Sequence, residues 1–364
     1  MDLIAALATE VGPRRAGSDE AARAADVVAA AFRELGLEPR FQEFELLGYD
    51  ADEPLLEVEG ERWDAGPCMY AHAFDGEGTV RRIGTTPAPV GEGSLPSFAV
   101  VAADGSERAR ILTSPFSTGA IPFMSAHVHI TTPPTAFVSR ADAERLEDGA
   151  RVRLRVGGRF LPGRRERNVI ADLDGVADGH VIVSAHYDSV WRGPGAIDNA
   201  SGVEGVRRVA EALRGRKLAR GVRLVAFAAE EIKLTGSRYY VDEAKLRGEL
   251  AAVAGMVNLD CIARGDKLNV LASPGALLGR ATEAARALGL LDRYELETGP
   301  ATGGIDSHWF AENGVPAATL LHFPYDQYHL ASDTPDLVDE RQLEDAVALA
   351  LALVESQLAS PVGR

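Results

Sequence analysis

The stretch from Val181 to Gly202, VIVSAHYDSVWRGPGAIDNASG, holds the residues best suited to chemistry. Its β-branched run Val181-Ile182-Val183 ends in small residues and then presents His186 and Asp188 on alternate positions, with Asp198 following a Gly-Pro-Gly turn. Neutral imidazole and carboxylate oxygen are good zinc ligands, so these three read as half of a metal site. Glu230-Glu231 follows the apolar Phe227-Ala228, Asp260 ends Met256-Val257-Asn258-Leu259, and Tyr328-His329 adds a second imidazole. Of two adjacent glutamates, one can bind metal while the other, aimed differently, stays free as a base. A single catalytic zinc usually takes three protein ligands. Two histidines and three carboxylates therefore fit two zinc ions roughly 3.5–4 Å apart, sharing one carboxylate and a water. Taken singly, a Glu pair is usually a solvated helix start and a lone His is usually structural; their joint placement at strand ends favours the metal reading.

Such residues need a frame that brings strand ends together. From Asn168 onward strands and helices alternate: strands at Val169 to Leu173, Val181 to Ser184, Leu224 to Ala228, Met256 to Leu259, Leu268 to Leu271 and Ala317 to Leu320. Helical spacing follows Gly202 and recurs over Ala276 to Leu288, Ser307 to Asn313 and Glu340 to Leu358. This alternation predicts an α/β fold with a mixed, largely parallel sheet flanked by helices, whose ligands gather at the carboxyl ends of the strands. Ser332-Asp333-Thr334-Pro335 reads as a capped turn before the final helix.

Toward the N-terminus, Ser18-Asp19-Glu20 opens a helix whose apolar face carries Val28, Phe32 and Leu35, and Phe41 to Leu46 alternates as a strand. From Gly48 to Gly158 helical periodicity gives way to prolines, glycines and short β-type runs, with one convincing helix at Ala141 to Leu146. The expected organisation is a discontinuous catalytic domain, residues 1–47 and 159–364, with a small β-rich insert at 48–158. His72, His127 and His129 fall in that insert; His127-Val128-His129 could in principle chelate a metal, but with no acid or cysteine beside that pair at ligand spacing these histidines read as surface or packing residues.

The 364 residues are 46% apolar and 25% charged, enough for a sizeable core. A net charge of −16 argues against a nucleic-acid partner, whose phosphates require a basic face. No apolar run is long enough to span a bilayer and no secretory signal is visible, so the expected location is cytoplasmic. Two cysteines, Cys68 and Cys261, exclude a disulfide framework and read as packed small hydrophobes.

Ala185-His186-Tyr187-Asp188, Gly195 to Gly202 (GAIDNASG), Glu230-Glu231 with Gly236-Ser237, Asn258-Leu259-Asp260 and Tyr328-His329 resemble, in order and spacing, the M28 zinc aminopeptidases. Arg14 to Gln42 is similar to that family's N-terminal segment, and Pro134 to Ser139 with the following helix resembles, more weakly, a protease-associated domain. The resemblance implies that Asp198 bridges two zinc ions, or other divalent metals, with His186 and Asp260 completing one site and Glu231 and His329 the other. It implies Glu230 as general base, Asp188 as the carboxylate orienting His186, and Tyr328 as a donor to the developing oxyanion. The substrates implied are short peptides. Lys233 stands where the family usually has glycine, and Asp306-Ser307-His308 resembles a pocket-wall segment. The M20 peptidases share the ligand series, but the span from Asp260 to His329 is too short for their inserted dimerisation domain. A single-zinc glutaminyl cyclase would lack a full second site, and a non-catalytic binding domain would lose ligands or the base.

Overall fold

Local sequence sets the first elements directly. The protein, described here by a computed structural model covering residues 2–87, 94–113 and 133–359, begins with a helical start, α1 (Leu3–Ala5), continued by a π-helical turn over Ala6–Val11. In α2 (Asp19–Glu34) the Ser18 hydroxyl accepts from the Ala21 amide at 3.0 Å, Asp19 and Glu20 sit at the positive end of the dipole, and Ala24, Val28 and Phe32 are buried on one face. The chain then enters β1 (Arg40–Ala51).

A second sheet follows: β2 (Leu55–Val58), β3 (Glu61–Trp63), β4 (Gly66–Pro67), β5 (Phe74–Pro87), β6 (Ser94–Val101), β7 (Glu107–Thr113), β8 (Thr135–Val138), the helix α3 (Arg140–Arg145), and β9 (Arg151–Val156). Its strand order is β3-β2-β9-β5-β6-β7-β8-β4. In β9 the alternation RVRLRV sends Val152, Leu154 and Val156 inward and the three arginines to solvent, the period of a half-buried strand. Those side chains join Leu56, Phe98, Ile111 and Val138 in a core separate from that of the first sheet. His72 is exposed; His127 and His129 lie outside the described residues.

The chain returns through β10 (Gly158–Leu173), β11 (Gly175–His186), α4 (Gly202–Leu213), β12 (Leu218–Phe227), α5 (Thr235–Leu246), β13 (Val253–Leu259), β14 (Lys267–Ala272), α6 (Ala276–Ala287), β15 (Glu295–Pro300), α7 (Ser307–Glu312), β16 (Ala317–Phe323) and α8 (Glu340–Leu358). The resulting sheet runs β1-β10-β12-β11-β13-β16-β14-β15. Its centre, β12-β11-β13-β16, is parallel, so four adjacent strands end on the same side. Residues of α2, α4, α6 and α8 pack on one face, and those of α5 and α7 on the other. This is the expected mixed α/β architecture.

One feature departs from the sequence reading. The strands expected at Phe41 to Leu46 and Val169 to Leu173 are parts of a long antiparallel ladder closing at Ala51↔Gly158. Pairs such as Glu43↔Arg167 and Glu45↔Arg165 lie within the expected strand, and the ladder runs on past it through Gly48↔Leu161 and Tyr49↔Phe160. The final helix α8 starts where the sequence reading puts it, and its cap is Asp339, whose carboxylate accepts from the Arg341 and Gln342 amides at 2.9 and 3.2 Å.

Candidate metal centre

All the candidate ligands stand at or beyond the ends of the four parallel strands. His186 is the last residue of β11, Asp260 directly follows β13, Glu230 and Glu231 lie three and four residues past β12, and His329 lies six past β16. Asp198 comes from the loop joining β11 to α4. That loop turns at Gly195, where φ is +61° and a Cβ would stand 2.1 Å from the Asp198 carbonyl oxygen, so only glycine fits. The Asn199 side-chain oxygen accepts from the Gly202 and Cys261 amides (2.9 and 3.1 Å), and its amide donates to the Leu259 carbonyl at 2.9 Å. These three bonds tie the Asp198 loop to the strand end that carries Asp260.

Asp198 sits between the two imidazoles. Its Oδ1 lies 3.2 Å from His186 Nε2, and its Oδ2 lies 3.2 Å from His329 Nε2. Around His186 Nε2 stand Asp260 Oδ1 at 3.5 Å and Glu230 Oε2 at 3.9 Å, while Glu231 Oε1 is 3.4 Å from His329 Nε2. Ligand atoms of Asp198, Glu231 and His329 lie within 4.8 Å of one another, and so do those of His186, Glu230 and Asp260. A third such group joins Asp198 and Asp260 to Cys261, whose thiol donates to Asp260 Oδ1 at 3.4 Å. Tyr328 stacks on His329 with ring centroids 3.9 Å apart.

Asp188 performs a role that the sequence did not disclose. Fully buried, its two carboxylate oxygens accept from the Glu230 and Glu231 amides at 3.0 and 3.2 Å, fixing the start of the loop that aims both glutamates. Its Oδ1 is 3.6 Å from His186 Nδ1, beyond hydrogen-bond range, and its own carbonyl oxygen lies closer at 3.2 Å. Asp333 was also missed: its carboxylate accepts from the Ile197 and Asp198 amides at 2.8 and 3.0 Å, across 135 residues of chain. Asp306, of the pocket-wall segment, is fully buried near these charges, and Arg14 lies buried beneath them. Both lie in segments that resemble the family, but their burial beside the cluster is set by contacts distant in sequence, such as those of Arg14 with Tyr187 and Gly195.

The electrostatics of the cluster favour added positive charge. Burial lifts Glu230 well above the carboxylate range and pushes Glu231 to about 8, with neighbouring carboxylates adding to both. Burial alone would depress His186 and His329, yet the acids around them raise both imidazoles above their ordinary value. For Asp198 burial would raise the carboxyl, but hydrogen bonds from both histidines hold it well below its usual range. The buried Glu231 Oε1 accepts no hydrogen bond and faces His329 Nε2. Buried charges are normally paired or coordinate metals, and this donor set of imidazole nitrogens and carboxylate oxygens suits a divalent cation such as zinc.

A discontinuous sheet-and-helix frame with such a cluster at its strand ends defines a metallo-exopeptidase. The family model for peptidase family M28 matches residues 168–354, and the chain belongs to that family. It is similar to aminopeptidase YwaD of Bacillus subtilis, 25% identical over 96% of this chain and 82% of that protein. Leucine aminopeptidase 2 of Arthroderma otae is 39% identical over a shorter match, covering 35% of this chain and 27% of that protein. Among solved structures, the fold is shared with BSAP, a zinc aminopeptidase from Bacillus subtilis, at a TM-score of 0.74 and 21% identity, covering 97% and 93% of the two chains. No helix among the described residues is long and apolar enough to cross a membrane.

Proposed function

We propose that the protein is a zinc aminopeptidase that removes N-terminal residues from short peptides. The observation that carries this reading is Asp198, whose two oxygens each lie 3.2 Å from a different histidine, each histidine having its own further carboxylate. In this reading Asp198 would be shared between two metal ions, with His186 and Asp260 to hold one and Glu231 and His329 to hold the other. When bound, such ions supply Lewis acidity, polarising a carbonyl oxygen and lowering the pKa of water.

The chain's own residues do the rest. Glu230 takes the proton of the attacking water and returns it to the leaving amine. Asp188, gripping the amides of Glu230 and Glu231, keeps the base and the ligand aimed apart. The Tyr328 phenol, kept protonated by burial, donates to the oxygen where negative charge develops. Residues 48–158 form the protease-associated-like insert on a catalytic domain of 1–47 and 159–364, and they limit the cleft to short peptides.

Metal analysis of the purified protein, together with hydrolysis of amino-acid anilides and of peptides blocked at either end, tests this. Two equivalents of zinc and cleavage only with a free N-terminus are expected. One equivalent would return a single-zinc enzyme of the glutaminyl cyclase kind, and none would sink the catalytic reading.

A further inference from the structure

Arg14 is among the largest side chains with no exposure at all. A guanidinium buried so deeply would ordinarily be matched to a carboxylate, yet its nitrogens are taken up by backbone carbonyls. Nε donates to the Tyr187 oxygen at 2.5 Å, Nη2 to the Gly195 oxygen at 2.8 Å, and Nη1 to the Pro194 oxygen and, at 3.5 Å, to that of Leu7. The backbone of Arg14 adds to this grip. Its amide donates to Ser189 Oγ at 3.1 Å, the Ser189 amide donates back to its carbonyl at 3.4 Å, and Ser189 Oγ donates to the Gly193 oxygen at 2.8 Å. All of these partners except Leu7 lie between His186 and Asp198.

We propose that Arg14 is a positioning residue for the metal centre: its planar fork gathers the ends of the 187–195 loop and so sets the span between His186 and Asp198. Three converging carbonyls repel one another and close only around a shared donor, and the guanidinium's fixed geometry specifies their separation as a flexible ammonium would not. Burial lowers the guanidinium only to about 10, so it stays charged at neutral pH close to the acids of the site. This inference rests on the metal-centre reading and adds to it a residue from the opposite end of the chain.

The test compares zinc affinity, by competition with a chromophoric chelator, in wild type, Arg14→Lys and Arg14→Gln, with far-UV circular dichroism and thermal melting on the same samples. Residues that orient ligands typically change metal affinity by 10- to 100-fold. Arg14→Lys, which keeps the charge and loses the fork, is expected to weaken zinc by about 10-fold and to lower kcat more than it changes KM. Arg14→Gln should weaken it further. A lowered melting temperature with wild-type zinc affinity in Arg14→Lys would mean a structural role only and overturns the proposal. Should both variants fail to fold, Ser189→Ala, a smaller lesion in the same loop, carries the test: wild-type zinc affinity there overturns the proposal, and weakened affinity supports it. Wild-type protein that binds no zinc would instead remove the metal-centre reading itself.

Discussion

Glu230 and Glu231 are chemically identical neighbours that should fail in different ways. In the proposed reading Glu230→Ala keeps its zinc and its substrate affinity but loses about 10²- to 10⁴-fold in turnover, the usual effect of removing a general base. Glu231→Ala should lose one metal ion, with activity partly recovered at high zinc. Anilide hydrolysis with metal content measured on the same samples decides this, and near-wild-type turnover in Glu230→Ala would defeat the assignment. The pair was legible in the sequence because two acids directly after Phe227-Ala228-Ala229 are out of place in a core. Glu166 was not, since it reads as one more charge in Arg164 to Arg167 and only the fold buries it against Gly17 and Tyr187. Burial raises its carboxyl to about 7, above the roughly 4.3 of an unfolded Glu. A raised carboxyl pKa means that the stability from its protonated form is complete below about pH 4 and is lost as pH rises through about 7. Glu166→Gln should therefore show a flatter stability profile than wild type between pH 4 and 7, read as urea midpoints across that range. Parallel profiles would contradict the burial argument.

At the scale of elements, the site depends on loops that hold a single shape. The four parallel strands were readable from β-branched runs such as Val181-Ile182-Val183, and α2 from its cap and acidic first turn. What the sequence could not show was how the loops beyond those strands are held, because Asn199, Asp333 and Asp188 bond to amides that are distant in sequence or on another strand end. Gly195 tests that dependence. A methyl there meets the Asp198 carbonyl oxygen at 2.1 Å, whereas at Gly215, with φ +75°, a methyl meets nothing within 4 Å. Gly215→Ala should cost only the left-handed backbone penalty of about 1–2 kcal/mol and leave metal content intact. Gly195→Ala carries the same penalty plus displacement of Asp198, so it should be the less stable of the two and lose zinc. Equal zinc in both variants would show that the turn does not position the bridging residue. Lys233 marks the same constraint from the other side, for it holds φ +61° where the family usually has glycine.

The described residues form two sheets whose main apolar cores are separate, and the chain passes between them at β1 and β10. The change of texture near Gly48 was visible in the sequence, but the full length of the β1–β10 ribbon that carries the chain across was not, since Gly48, Pro162 and Gly163 interrupt its alternation. Ala51 and Gly158 are partners at the end of that ladder, so a two-residue turn of the Asn-Gly kind can replace the chain between them. Met69 and Tyr70 reach from the second-sheet segment into the larger core, where Tyr70 packs 5.5 Å from Tyr49, and Tyr49 packs 5.1 Å from Phe160. Excision therefore uncovers Tyr49 and Phe160, which are best changed to threonine in the same variant to keep an apolar patch from driving association. None of the proposed ligands lies in the removed segment, so the trimmed protein should retain its zinc and its hydrolysis of amino-acid anilides. If the second sheet restricts the cleft, the ratio of kcat/KM for dipeptides over decapeptides should fall by about 10-fold, equivalent to about 1.4 kcal/mol of lost discrimination. A trimmed enzyme that holds its zinc and keeps the wild-type ratio would show that selection for short peptides, where it exists, is built into the catalytic sheet and its loops.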